Sequence, residues 1–307
     1  MPLKPALHIH PKSILFAADL SHESENALRH AVAVARHYGA TLHLAHVVNS
    51  MGFVLAGPEA FGLANEAAMR DLGALEKRLC ANGALGGIKH DAVVRRGDVW
   101  PQIEALIDED EVDMVVIGTH GRRGIGRLVL GSVAEEIFRC AECPVVTVGP
   151  AFDPQGGLGT VRQARPVLFA TNFKPASLSA LPYAATFARE RQVKLVMLHV
   201  IPLLPIPPHG HWDRADDLME RRRVAEENAV AHLHTLLREY PHAEVECVAK
   251  CGETVDEILK LANNLQVDVI AMGLHRTDHV QAASHLRTTI AYEVVCRAHC
   301  AVFTARD

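Results

Sequence analysis

Several features that would place a protein at once are missing from this sequence. No stretch reaches the roughly 18 uninterrupted apolar residues that a membrane span needs. The N-terminus, MPLKPALHIHPKS, has no apolar run of the kind that precedes an export cleavage site. Basic charge is not in excess: the formal net charge is -5 at pH 7, which argues against a nucleic-acid partner. There is no GxxxxGK[ST], so a P-loop is excluded. No Ser-His-Asp or Cys-His arrangement follows from spacing, and no catalytic residue is assigned. The seven cysteines are an odd number and, without an export signal, are expected as reduced thiols. The expectation is a cytoplasmic protein with no membrane and no nucleic-acid partner.

What is present is a duplication. The 307 residues suggest two domains of about 150 residues each. The segments ILFAADLSHESENALRHAVAVARHYGATLHLAHVV (from Ile14) and VLFATNFKPASLSALPYAATFARERQVKLVMLHVI (from Val167) agree at 12 of 35 positions without a gap. Leu15/Leu168, Phe16/Phe169, Ala35/Ala188, His46/His199 and Val47/Val200 are among the matches. VDMVVIGTH (from Val112) pairs with VDVIAMGLH (from Val267), and CPVVTV (from Cys143) with CAVFTA (from Cys300). A period this long marks duplicated domains rather than a solenoid. The Gly- and Pro-rich segment from Gly149 to Pro166 reads as a linker, which gives domains over 10–149 and 163–307.

Within each half, short apolar runs alternate with segments of helical periodicity. SILFAAD, TLHLAHVV, IKHDAVVRRG, VDMVVIG and PVVTVG read as strands. The segment ending at Gly39 reads as a helix with a glycine C-cap, and another helix ends near Gly83. Strands alternating with helices imply an α/β fold of two tandem Rossmann-like domains, each a mainly parallel five-stranded sheet flanked by helices. The closing strands of the two halves are candidates to pair within one chain as an internal pseudo-dimer, and a further homodimer is compatible with the sequence.

One stretch stands out for chemistry: GTHGRRGIGRLVLGS, Gly118 to Ser132. It follows an apolar strand and precedes a helix, where parallel sheets bind ligands. Glycine lets the backbone approach a phosphate, and a helix N-terminus attracts anions. A bland reading stands beside it: Ser132 and Glu135 have the spacing of a capping box, which needs no ligand. Local chemistry leaves both open. Arg122, Arg123 and Arg127 could pair with phosphates, although such arginines are commonly solvated. His120 and His275 occupy matching places beside the loop and read as polar lining. Cys140 and Cys143 form a CxxC, yet zinc needs four convergent ligands, and small buried thiols are the simpler reading. No metal ligand is assigned.

The spacing Gly118-x2-Gly121-x9-Gly131-Ser132, with ILFAAD, LAHVV and GSVAEEIFRCAECPVVTV in order around it, resembles the ATP-binding signature of the universal stress protein family. The resemblance runs over essentially the whole chain, as two copies. It implies a regulatory, stress-response module that holds ATP, or ADP or AMP, with or without Mg. In the first copy it implies that Asp19 contacts the adenosine and that Ala17 and Val47 line the adenine pocket. Gly118, Gly121, Gly131, Ser132 and Val133 would wrap ribose and phosphates, with Arg122 at the phosphate end. A slow ATPase or phosphotransfer enzyme using the same pocket, and a scaffold that binds no nucleotide, are the alternatives. The second copy departs from the pattern. Asn172 replaces Asp19, Arg276 stands for Gly121, and Thr288 and Thr289 face Gly131 and Ser132 when the closing cysteines are aligned. That copy is expected to be degenerate.

Overall fold

The structure is a computed structural model, and it describes residues 10–21, 24–49, 57–119, 130–149, 165–203, 215–237, 244–275 and 289–307. In the first half β1 (Ser13–Ala17), α1 (Glu25–Tyr38), β2 (Thr41–Val48), α2 (Gly57–Ala81), β3 (His90–Arg96), α3 (Val99–Glu109), β4 (Met114–Gly118), α4 (Ser132–Cys140) and β5 (Val145–Val148) follow one another. The second half has β6 (Val167–Ala170), α5 (Pro175–Leu178), α6 (Leu181–Glu190), β7 (Leu195–Pro202), α7 (Ala215–Leu236), β8 (Val245–Gly252), α8 (Thr254–Leu265), β9 (Val269–Leu274), α9 (Ile290–Arg297) and β10 (Ala301–Arg306).

The strands form one ten-stranded sheet in the order β3-β2-β1-β4-β5-β10-β9-β6-β7-β8. Every pairing inside a half is parallel. The halves meet only once in the sheet, where β5 and β10 pair antiparallel. The register places Val146 opposite Phe303. These two residues are equivalent when the closing cysteines are aligned, so the join is centred on a local two-fold relation. Central strands are apolar on both faces: all of Ile14, Leu15 and Phe16 are buried, as are Val115, Val116, Val146 and Phe303. That is what a parallel sheet covered by helices on both sides requires. One core lies between the sheet and α1, α2, α6 and α7. The other lies between the sheet and α3, α4, α8 and α9. Both cores run through the two halves without a break.

Local chemistry explains most element ends. Gly39 caps α1 at φ 65, the left-handed region a C-cap glycine favours. The helix before Gly83 starts earlier than its periodicity suggests, at Gly57. The counterpart of α1 in the second half is α6, which the short helix α5 precedes. Pro182 sits in the first turn of α6, where a residue without an N–H can start a helix but could not continue one. At the start of each half an aspartate ties two strands together. Asp113 accepts from the N–H groups of Lys12 (2.6 Å) and Ser13 (3.1 Å), and Asp268, at the matching place, accepts from Arg165 N–H at 3.4 Å. Among the described residues no helix is long and apolar enough to cross a membrane.

Side chains add ties beyond the sheet, one of them between the halves. Tyr38 in α1 donates to Glu190 at the end of α6 (2.8 Å). Arg191 and Asp268 form an ion pair at 3.0 Å with both side chains almost fully buried; removing one partner of such a pair typically costs about 3–5 kcal/mol. His30, on the buried side of α1, is 3% exposed. Burial first, and the nearby Arg191 guanidinium second, lower its pKa to about 3. His30 is therefore neutral in the folded protein, while the unfolded chain takes up a proton below its ordinary value of 6.5. Its contribution to stability is full above pH 6.5 and falls as the pH drops toward 3, by about 1.4 kcal/mol per pH unit. Denaturant titrations of the native protein and of His30→Gln at pH 7.0 and 5.0 should converge at the lower pH, the variant losing about one proton's worth less stability. Parallel losses in the two proteins would show that His30 does not carry this dependence.

Candidate functional site

Strand order reverses between β1 and β4, whose helices leave in opposite directions, and the C-terminal ends of these strands carry the residues singled out in the sequence. Ala17 closes β1, Gly118 closes β4, and Val47 lies near the end of β2. All three are half-buried. Ala17, Val47 and Val133, the second residue of α4, edge the same core, on the α3–α4 side of the sheet. Gly131 and Ser132 stand at the start of α4. The structure thus brings Ala17, Val47, Gly118, Gly131, Ser132 and Val133 to one end of the sheet. Gly121, Arg122, Arg123, Arg127 and His120 lie outside the described residues, as does most of the linker.

The ends of the glycine segment are pinned together. Gly131 N–H donates to Thr119 O at 2.9 Å, and Thr119 N–H to Val148 O at 3.0 Å. The capping box expected from Ser132 and Glu135 does not form. The N-cap is Gly131, in an extended conformation, and it has no side chain with which to cap the helix. A serine at the first helical position has its own N–H among the orphan donors and is badly placed to cap them. Helix α4 therefore presents N–H groups and the positive end of its dipole with no acceptor from its own N-cap residue.

Asp19 follows β1 in a tight turn. Its carboxylate accepts from Ser21 N–H (3.0 Å) and from Ser21 Oγ (2.8 and 2.9 Å). This Asx turn holds Leu20 at φ 57, a strained value for a leucine. His46 Nδ1 donates to Ala18 O at 2.7 Å and locks β2 to the turn. The second half repeats the device. Asn172 accepts from Lys174 N–H at 3.0 Å, Phe173 has φ 65, and His199 Nδ1 donates to Thr171 O at 2.8 Å. Asn172 keeps the turn and loses the charge.

Three further differences separate the halves. Helix α9, the counterpart of α4, is capped by its own chain: Thr289 Oγ1 accepts from Tyr292 N–H at 3.3 Å. Thr289 thus takes the N-cap place that Gly131 has in α4, because α9 is one residue shorter. At the end of β9, α5 presses on Gly273: a Cβ there would fall 2.0 Å from Ala176 O and 2.6 Å from Ser177 C. At the end of β4 the same test at Gly118 finds no neighbour nearer than 3.7 Å among the described residues. On the other sheet face, Phe173 stacks on His232 (4.2 Å between ring centroids, 7° between planes) and leans on His199 at 4.3 Å. Beside Leu20 in the first half there is instead an open groove of about 340 Å³ between α1 and α2. Sequence reading missed these differences: the self-cap of Thr289 turns on the exact start of α9, and the other two depend on contacts between elements far apart in the chain.

The two cysteines that lead into the closing strands offer little reactivity. All seven are free thiols, and burial pushes Cys143 and Cys300 up to about 12. Thiols at that level stay protonated at neutral pH and make poor nucleophiles or ligands. No group of three or more His, Cys, Asp or Glu side chains able to hold a metal occurs among the described residues.

The universal stress protein family model matches residues 11–149 and 163–306, almost the entire chain in two copies. The chain belongs to the universal stress protein family. It is 29% identical over 138 residues to a universal stress protein of Methanocaldococcus jannaschii, covering 45% of this chain and 81% of that protein. A universal stress protein of Mycobacterium tuberculosis is 25% identical over 268 residues, 84% of this chain and 85% of the relative, and so spans both halves. Among solved structures, a universal stress protein of Archaeoglobus fulgidus superposes with a TM-score of 0.67 at 20% identity, over 97% of this chain and 99% of that one. This universal stress protein thus has two tandem family domains in one α/β sheet.

The glycine contrast is testable by thermal melting. Gly273→Ala should lower stability by about 1–3 kcal/mol, the cost of forcing atoms into a filled space. Gly118→Ala should change it by less than about 1 kcal/mol. Equal losses would mean that the two strand ends are packed alike.

Proposed function

We propose that this universal stress protein binds an adenine nucleotide, ATP or its di- or monophosphate, in its first domain and acts as a regulatory module in a stress response, while the second domain does not bind it. The observation that carries the reading is the start of α4. Its glycine N-cap supplies no side chain to the helix, and it closes a segment whose glycine spacing resembles the family's ATP-binding signature. Its counterpart, α9, is self-capped by Thr289. A phosphate at α4 would accept from the first backbone N–H groups and from the Ser132 hydroxyl and gain from the helix dipole. Ala17 and Val47 offer the adenine an apolar edge. Asp19 keeps lone pairs beyond those used by Ser21 and is placed to accept from the adenosine. Among the described residues nothing comes nearer than 3.7 Å to a Cβ placed on Gly118 at the end of β4, and Gly121 and Arg122 complete the phosphate end in this assignment. Mg would arrive on the nucleotide's own phosphate oxygens, because Asp19 is the lone carboxylate assigned to the pocket.

Calorimetry with ATP tests the reading. The expected result is one site per chain. Gly121→Arg, which copies the second domain's residue, should abolish it. Gly131→Thr, which copies the N-cap of α9, should weaken it at least tenfold with the melting temperature retained. Two sites would reinstate the second domain as a binder. No binding to the native protein would leave a scaffold.

A further inference from the structure

The second domain makes contacts that reach helix α4, and only one of the two domains receives them. Tyr292, in α9, is 4% exposed. Its ring meets Phe138 of α4 edge-on, 6.4 Å between centroids. Its hydroxyl oxygen accepts from Leu130 N–H at 3.4 Å, the long end for such a bond. Leu130 is itself 3% exposed and immediately precedes Gly131. At the opposite end of the same helix, Arg306 of β10 donates to Phe138 O (2.6 Å), Arg139 O (2.8 Å) and Ala141 O (2.8 Å). These include carbonyls that the end of a helix leaves without partners, and a guanidinium also suits the negative end of the dipole. The fourth bond of Arg306 goes to His275 O at 3.0 Å and ties the group back to the second domain.

On the other side of the two-fold join the equivalent positions carry different residues. Gly149 is the equivalent of Arg306, and it lies against Ala298 at the end of α9, where a Cβ would be 3.4 Å from Ala298 O. Glu135 is the equivalent of Tyr292. At these two equivalent positions the first domain has neither a guanidinium nor a phenol for α9. A symmetric interface that only held two domains together would need no such one-sidedness.

We propose that the second domain is a positioning device for the first: Tyr292 and Arg306 hold α4 at both ends and so set the place of Gly131, Ser132 and Val133 against the phosphates. The inference rests on the nucleotide reading above. It gives the degenerate domain a task that its own lost site does not, and it restricts the effect to the phosphate end of the ligand.

The test compares ATP and adenosine on the full chain. Tyr292→Phe and Arg306→Met should each weaken ATP about fivefold, the worth of one hydrogen bond of ordinary strength, while adenosine affinity stays within about twofold. Arg306→Lys should restore part of the loss. Hydrogen exchange of the peptide containing Leu130 should speed up in Tyr292→Phe. Thr304→Val removes the 3.3 Å bond from Thr304 Oγ1 to Val145 O at the β5–β10 join. It should lower the melting temperature without moving the ratio of ATP to adenosine affinity. Unchanged ATP affinity in both variants, an equal fall for ATP and adenosine, or the same change of ratio in Thr304→Val would each overturn the proposal. A native protein that binds no ATP would overturn the nucleotide reading and the positioning role together, whereas a native protein that binds, with variants that bind equally, overturns only the second.

Discussion

The antiparallel pairing of β5 with β10 is the constraint on which the rest of the architecture depends. Each half, folded alone, would end in a strand with one row of N–H and C=O groups unpaired, a surface that sheets must cover or pair. Pairing the two edges satisfies both rows and fixes the halves in register at Val146 and Phe303. The helix layers on each sheet face are then brought side by side. That places α1 against the end of α6, where Tyr38 finds Glu190, and α4 beside α9, where Tyr292 finds Leu130. The long-range ties are consequences of the sheet join.

Much of this was legible in the sequence, and what was not has a common cause. The duplicated segments and the alternation of apolar runs with helical periodicity carry the two-domain α/β fold, because burial on a doubly covered sheet writes itself into local pattern. The C-cap at Gly39 is equally local. The capping box at Ser132 was misleading, since the same serine suits a cap or the first helical turn, and the path of the preceding residues decides. The self-cap of Thr289 needed the exact start of α9, which a gapped alignment blurs by one residue. Tyr292, Arg306 and the crowding at Gly273 bring together residues from separate elements, in the case of Leu130 and Tyr292 more than 160 positions apart. No spacing rule reaches that far. Of the candidate site, the glycine spacing and the strand-end residues could be read; the use of Asp19 to shape its own turn could not be told from a ligand contact.

The two halves show how far a duplicated fold can drift while its frame holds. The turn after the first strand survives intact: an Asx acceptor, a residue in the left-handed region, and a histidine locked to a backbone carbonyl. What changed lies at the turn carboxylate and at the start of the last helix, while Ala17 and Val47 have the identical counterparts Ala170 and Val200. Asp19 became the neutral Asn172, the glycine N-cap became a threonine that caps itself, and Gly273 now serves a backbone contact with α5. The glycine persists in the second half for packing, and its survival there says nothing about binding.

The single chain alters the rules of the partnership. In a dimer of identical subunits every contact across the axis occurs twice, so no residue can give without also receiving. Covalent linkage removes that symmetry, and Arg306 can face Ala141 while Gly149 faces Ala298. It also removes mass action: the neighbouring domain is present at a fixed local concentration however dilute the protein becomes. Dilution in the cell cannot part Tyr292 from Leu130, and helix α4 therefore keeps its neighbours whether the protein is scarce or abundant.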